Sequence, residues 1–552
     1  EYLRQNGCRW LYPGVDGEYI PMKDIVPVKY RHKPSCRYRG QCNEGAESQQ
    51  CMLETIEFTP KVGMNVYMME FRIPTQYYQG YYEHKFNSEN RAPEPITDEQ
   101  VLQWKRQCEA EIAKRGLQFH DIGHGWAVDP FGIDAARCGA VIDESGISEE
   151  NRSYLAMIDG KRGLFQGKPQ GTNFCMSNRR AREKFVDCVL DYAEKHSNVD
   201  YLHVWLADDF NNHCECEECK ARTASDWYML LLNELDRGLT ARGLPTRIVY
   251  IAYADTTWAP TELRLDNPER FMLMLAPISR KYTETLPEGR VTASPTQYVR
   301  NNIRRPRNLD EFLAEFSAWR EVWHGPSVCY EYHFWRPQCF DLTGIAIARR
   351  IIEDIAVYRE NGISGIIEDG SQRSFFPTGF AFYTYARALF DSSYSYDMIC
   401  EDYFSTAFGE DWREFYSYFE KISEALPYGY VCGSERYGHY APERLGAIRS
   451  VKEITRDGRE LIRRHYNSKY RVQTASVRLL EHHADFCDLL ASALAEKCLG
   501  NDTEAKALFE KMRLEFGSCE VAIERNYDHM LWMSFLLANI FERPTRKPEG
   551  NA

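Results

Sequence analysis

Short apolar runs separated by amphipathic stretches fill the chain from about residue 62 to about residue 370, and they predict strands at residues 64–71, 117–122, 172–176, 201–207, 247–253, 271–276, 327–333 and 363–367. The stretches between them carry helix signals. Thr97-Asp-Glu-Gln100 is a capping box, Gly116 stops the helix it opens, and the helical pattern over residues 341–361 stops at Gly362. Strands alternating with helices are the pattern of βα units, and eight in succession predict an α/β fold, a closed (β/α)8 barrel of TIM type spanning residues 56–390. Beyond residue 375 strand signals fade. Long helical stretches at 396–408, 411–426, 442–464, 472–498 and 503–516 predict a helical C-terminal domain over residues 391–552. Residues 1–55 are rich in Gly, Pro, Cys, Arg and Tyr, with turn signals such as Tyr12-Pro13-Gly14, and read as the tail of a truncated domain. The sequence shows no internal repeat and no low-complexity segment.

Composition narrows the function classes. With 552 residues and 43% hydrophobic content there is ample material for a large core. Against 81 acidic residues stand 68 basic ones, and the net charge of -13 removes the electrostatic basis for binding nucleic acid or an anionic membrane. No apolar run approaches the roughly 20 residues that span a bilayer. The first residue is Glu1 and no basic-then-apolar leader follows, so the chain reads as processed or truncated. Tyr (35) and Trp (11) are abundant and often sit beside polar residues, which suits stacking on pyranose faces.

In a closed barrel the carboxyl ends of all strands share one mouth, so the candidate chemistry can be read strand by strand. Glu70 and Arg72, His120, His124 and Trp126, Asn178, Asp208 and Asp209, Tyr253 and Asp255, Arg280, Glu331, Tyr332 and His333, and Glu368 with Asp369 all fall there. The sharpest feature is Asp208-Asp209, two adjacent carboxylates closing an apolar strand. Such a pair can act on an N-acetylated sugar: one holds the 2-acetamido group so that its oxygen attacks the anomeric carbon, the other protonates the leaving oxygen. Either aspartate can also serve as a loop or helix cap. Glu331, across the mouth on the seventh predicted strand, offers the rival scheme of an acid and nucleophile pair, or else a glutamate buried against an arginine. His124, Trp126, Asn178, Tyr253, Asp255, Trp258, Arg280, Tyr332, Trp335 and Glu368 are the candidate substrate contacts. Cys214, Cys216 and Cys219 have the spacing of a structural zinc site, with Cys175 or His213 as the fourth ligand, although disulfide pairing or free thiols fit the same spacing. Catalysis needs no cofactor in either scheme.

Gly7-Cys-Arg-Trp-Leu-Tyr-Pro-Gly14, Asp209 followed by Cys214-x-Cys216-x-x-Cys219, Gly362-Ile-Ser-Gly-Ile-Ile-Glu368 and Tyr385-Ala-Arg-Ala-Leu-Phe-Asp391 together resemble the domain of unknown function DUF4838, a group associated with glycoside hydrolase family 163. The resemblance covers roughly residues 1–410. It implies a (β/α)8 barrel preceded by a small α/β domain, here a remnant, and retaining endo-β-N-acetylglucosaminidase activity on the GlcNAc-GlcNAc core of complex N-glycans. It also implies export to the periplasm or cell surface of a gut Bacteroidetes species, with an oligosaccharide or glycoprotein as partner. Within it Asp208 is expected to orient the acetamide and Asp209 to act as acid, then base. Two other readings stand beside it: hydrolysis of uronic-acid or other non-acetylated glycans through Asp209 and Glu331, and glycan binding without catalysis.

Overall fold

The computed structural model describes residues 1–135, 140–286 and 290–547. Eight parallel strands close into one barrel. They are β1 (Tyr38–Glu44), β2 (Val66–Met69), β3 (Gln118–Gly123), β4 (Tyr201–Val204), β5 (Arg247–Ala252), β6 (Phe271–Leu275), β7 (Ser327–Glu331) and β8 (Gly365–Ser371). β8 completes the ring on β1, in register from Gly365 opposite Tyr38 to Ser371 opposite Glu44. Side chains alternate as the pleat requires. Val66, Met68, Val249, Ile251, Met272 and Met274 fill the barrel interior, while Tyr67, Met69, Ile248, Tyr250 and Leu273 face the helices. Gly365 is dictated by this closure, because a Cβ there would lie 2.0 Å from the Tyr38 carbonyl oxygen.

Helices α1 (Gln49–Lys61), α2 (Asp98–Lys114), α3 (Arg179–Lys195), α4 (Ala224–Ala241), α5 (Leu309–Val322), α6 (Ile345–Glu360) and α7 (Phe380–Phe390) wrap the barrel. Ser48, Thr97, Asn178, Thr223 and Asn308 cap the first five of them, each accepting a backbone N–H of the first turn. Each cap is worth about 1 kcal/mol. Between β5 and β6 the chain makes short 3-10 turns at Ala254–Thr257 and Pro268–Arg270. Every residue of α7 is buried, because the barrel lies on one side of it and the C-terminal helices on the other.

Two strand assignments change. The first barrel strand, Tyr38–Glu44, lies inside residues 1–55, the stretch read as the remnant of a separate N-terminal domain. It escapes a hydrophobicity reading because Arg39, Gln41 and Asn43 put polar side chains into its buried length. Arg39 donates to Gly63 O at 2.7 Å and Cys36 O at 2.6 Å, and Gln41 to the Thr59 hydroxyl at 2.8 Å. Residues 172–176 are not a barrel strand: Phe174 makes one antiparallel bridge to Leu155, and the chain turns at Asn178 into α3. The missed strand and the false one cancel in the count. Tyr201–Val204 remains the fourth strand and Ser327–Glu331 the seventh.

The C-terminal part is helical: α8 (Tyr396–Phe408), α9 (Trp412–Ala425), α10 (Leu445–Arg464), α11 (Arg471–Cys498), α12 (Asp502–Gly517) and α13 (His529–Leu536). α11 is its axis, packing on α8, α10 and α12. The first residues of the chain join this layer, with Arg4 and Arg9 paired to Asp402 of α8 at 2.5 and 2.8 Å. Asp528 caps α13 and reaches back to the barrel mouth, accepting from Ala46 N and the Ser371 hydroxyl, both at 2.8 Å, and pairing with Arg373 at 3.2 Å. Among the described residues no helix is long and apolar enough to cross a membrane.

Candidate active site at the barrel mouth

The extended chain of β4 runs on, buried, through Trp205, Leu206 and Ala207 before Asp208 and Asp209 emerge partly exposed. Asp208 is held from three sides. Its Oδ1 accepts the Tyr253 hydroxyl and the Asp209 N–H, both at 2.7 Å, and its Oδ2 accepts from Gln170 Nε2 at 3.3 Å. Asp209 occupies the left-handed region, φ 71°. That conformation costs on the order of 1 kcal/mol for a non-glycine residue. The surroundings stabilise it: Asn212 Nδ2 donates to Asp208 O at 2.7 Å, and Asp255 accepts the Asn211 N–H at 2.8 Å. The Asp209 carboxylate accepts the Phe210 N–H at 3.0 Å. One aspartate is clamped and the other has a single backbone anchor.

Three more carboxyl groups line the mouth: Glu44 ends β1, Glu70 follows β2 and Asp369 lies on β8. Burial pushes Glu44 up; Tyr77 and the Gly45 N–H pull it back, Asp528 and Asp208 push it further, and it comes to rest at about 7. Burial, then the charges of Glu44 and Asp208, hold Glu70 well above the carboxylate range, and burial with Glu44 and Glu70 does the same for Asp369. The Tyr77 hydroxyl lies 3.0 Å from Glu44 Oε2 and 3.1 Å from Glu70 Oε2. Tyr77 thus stands between the two carboxyl groups and favours their ionised forms, against the larger effect of burial. The mouth therefore sets Asp208, at the end of β4, beside three carboxyl groups on β1, β2 and β8 whose ionisation burial and mutual repulsion disfavour. Glu44 is not among the residues the sequence offers for the mouth, because the Gly-, Pro- and Cys-rich stretch around its strand reads as turns. The βα signature of a strand leading to the Ser48 cap and α1 was the signal available.

Several predicted site residues are occupied elsewhere. Glu331, the candidate nucleophile, is fully buried. Arg280 donates to its Oε1 at 2.7 Å, the Tyr358 hydroxyl donates to the same oxygen, and Oε2 accepts Tyr282 OH at 2.6 Å and Tyr332 N at 2.9 Å. Neither oxygen is left for a substrate. Arg280 also pairs with Asp354 of α6 at 2.5 Å. Glu368 accepts from His333 Nδ1 at 2.7 Å, again fully enclosed. Burial lowers the His333 imidazole, but Glu368, Glu331 and the Asp354 hydrogen bond overcome it and carry the ring up to about 10. Glu331, Arg280 and Glu368 thus belong to a buried ion network, of which Arg280 also borders the cavity shared by Tyr332 and Trp335. Asn178 caps α3 through its side-chain oxygen. Trp126 donates to His203 O at 2.8 Å and Trp258 to the Thr296 hydroxyl at 2.9 Å, both rings buried, and Asp255 braces the Asp209–Asn211 turn from below.

The remaining predicted contacts do stand at the mouth. His124 donates to Leu206 O at 3.1 Å with its ring edge on Trp205 and Tyr253. Tyr332 bridges the acid cluster and an adjoining cavity of about 470 Å³, which Trp335, Arg305, Arg336 and Tyr428 also line. Cys175, Cys214, Cys216 and Cys219 converge at the outer end of the β4 loop, with all four sulfur atoms within 4.8 Å of one another.

The family model for a domain of unknown function, DUF4838, matches residues 123–419, more than half of the 552-residue chain. The chain belongs to the DUF4838 family. The DUF4838 match takes in β4 with Asp208 and Asp209, the four clustered cysteines and the ion network of β7 and β8, whereas Glu44 and Glu70 lie before it. No curated protein sequence matches the chain. Solved structures similar to it include an O-GlcNAc hydrolase mutant from Thermobaculum terrenum, 12% identical, covering 91% of this chain and 94% of that one with a TM-score of 0.43. A chitobiase from Flavobacterium johnsoniae is 10% identical and covers 88% and 78%, with a TM-score of 0.37. A family 89 glycoside hydrolase from Clostridium perfringens is 11% identical and covers 92% and 58%, with a TM-score of 0.48.

Proposed function

We propose that this DUF4838 protein is a retaining glycoside hydrolase acting on N-acetylhexosamine linkages, and more narrowly an endo-β-N-acetylglucosaminidase that cleaves between the two core GlcNAc residues of complex N-glycans. The observation that carries the reading is the unequal restraint of Asp208 and Asp209 at the end of β4. A carboxylate fixed by Tyr253 and Gln170 suits the accepting of an acetamide N–H, which directs the acetamide oxygen onto the anomeric carbon. A neighbour with a single backbone anchor suits proton transfer. In this scheme Asp209 gives its proton to the leaving oxygen as the glycosidic bond breaks and the acetamide oxygen bonds to the anomeric carbon. It then takes a proton from the water that opens the cyclised intermediate, and two displacements at one carbon give net retention. The raised pKa values of Glu44, Glu70 and Asp369 limit the negative charge that Asp208 must face.

A second reading rests on Glu44, whose carboxyl group held at about 7 is matched to general-acid work. There Glu44 protonates the leaving group and Asp208 attacks a sugar that lacks the acetamide. Incubation with a complex N-glycoprotein, followed by mass spectrometry of the glycan and the protein, separates the readings. A single GlcNAc left on asparagine, with inhibition by a thiazoline mimic of the cyclised intermediate, supports the first. Trapping of Asp208 by a 2-fluoro glycoside supports the second. Glycan binding with no hydrolysis of any substrate would leave a lectin.

A further inference from the structure

We propose that Cys175, Cys214, Cys216 and Cys219 bind one zinc ion in a closed tetrathiolate site that pins the loop carrying Asp208 and Asp209. The sulfur geometry is that of a coordination shell. Cys175 Sγ lies 3.7 Å from Cys216 Sγ and 3.8 Å from Cys219 Sγ. Tetrahedral ligands about 2.3 Å from zinc stand roughly 3.8 Å apart. Disulfide sulfurs lie about 2.05 Å apart, so the thiols are gathered but not bonded.

The surroundings fit thiolate ligands. The Met157 N–H points to Cys214 Sγ at 3.3 Å and the Ser177 N–H to Cys219 Sγ at 3.4 Å, while Arg162 lies 3.8 Å from Cys214 Sγ. A zinc ion with four thiolates carries two net negative charges, and N–H donors with a nearby cation are what such a group requires when buried. Cys175, Cys214 and Cys219 are 2%, 3% and 1% exposed, so the site has no open position for water or substrate and its role is structural. His213, the other ligand compatible with the sequence, is outside the cluster; its backbone N–H and C=O are both bonded to Asn301.

The metal would act on the active-site loop through a short relay. Cys175 follows a segment in which Gln170 O accepts the Asp208 N–H at 2.9 Å and Asn173 Oδ1 accepts the Ala207 N–H at 3.1 Å. Asn173 Nδ2 donates to Asn212 at 2.9 Å, and Asn212 holds the Asp208 carbonyl. Residues 170–175 and 207–219 are thus laced beside the aspartates and clipped together by four sulfurs at the far end.

The test uses the intact wild-type chain, purified under reducing conditions and equilibrated with zinc. Elemental analysis after gel filtration is expected to give about one zinc per chain, released stoichiometrically by p-hydroxymercuribenzoate. Cobalt in its place is expected to show thiolate-to-metal charge transfer and tetrahedral visible bands. Cys216→Ser, at the most exposed ligand, is expected to lose the cobalt charge-transfer intensity of one thiolate, whereas His213→Ala keeps both metal and spectrum. A wild-type chain that retains no zinc, or four thiols that react freely in the zinc-equilibrated protein, overturns the site. Metal loss in His213→Ala overturns the ligand set. Since the readout is bound metal, the outcome is independent of the glycosidase reading.

Discussion

Asp209 and Glu331 are both acidic side chains near the carboxyl ends of barrel strands, yet burial and partners give them opposite consequences on mutation. In the proposed scheme Asp209→Asn removes the proton donor, a partly exposed side chain whose one bond is to a backbone N–H. It is expected to lower kcat on a GlcNAc-GlcNAc substrate by roughly 10²–10⁴-fold, the usual worth of a positioned acid, with an unchanged melting temperature. Glu331→Gln takes one of the two buried carboxylates from Arg280, leaving Asp354, and turns an amide N–H toward donors that the carboxylate accepted. It is expected to cost about 1–3 kcal/mol, read as a lowered urea midpoint. Glu44 adds a pH signature. Its folded-state pKa, about 7, lies above its ordinary value of 4.5, so its contribution to stability is complete below pH 4.5 and is lost as pH rises through 7. Glu44→Gln is therefore expected to flatten the decline of melting temperature over that window, and an unaltered slope would count against the protonated mouth.

At the scale of elements, caps and closures explain why candidate residues that look alike in sequence part company. Asn178 follows the falsely assigned strand and was placed among the sugar contacts, but its side chain accepts the Arg180 and Ala181 N–H groups at the start of α3. Asn178→Ala is expected to cost about 1 kcal/mol of stability while KM stays within error of wild type; a large rise in KM would restore a binding role. β5 and β6 are the plainest strands in the sequence because both their faces are apolar, as a strand sandwiched between barrel interior and helices usually is. β1 breaks that rule through Arg39, Gln41 and Asn43, each of which bonds a residue 18 to 27 positions away. Nothing local marks those bonds.

At the scale of the whole molecule, the helical layer belongs to the chemistry of the mouth. Asp528, nearly 500 residues from Glu44, is one of the charges that raise it, and it accepts the Ala46 N–H two residues further along. Asp528→Asn is expected to lower the Glu44 pKa and move any activity limb that Glu44 controls to lower pH, an effect read from kcat/KM profiles of a variant shown by circular dichroism to be folded. The barrel interior contributes a second pH dependence of opposite sign. His120 and His203 share a hydrogen bond of 2.8 Å inside the barrel, and burial lowers both, His120 to about 3. Their contribution to stability is therefore present above the ordinary histidine value near 6.5 and is lost as pH falls toward 3.

Periodicity, caps and strand-end carboxylates are local properties of the chain, so the barrel architecture, the helical C-terminal layer and the place of Asp208-Asp209 beyond a strand are legible in sequence, while the strand Tyr38–Glu44 is not. Tertiary structure alone decided which acids face solvent and which are neutralised, since that depends on neighbours from distant strands: Arg280 on Glu331, Tyr77 between Glu44 and Glu70, Tyr253 on Asp208. It likewise decided that Cys175, not His213, joins the three close-set cysteines, because sulfur atoms 41 and 44 residues apart in sequence meet only when the loops flanking β4 fold onto each other.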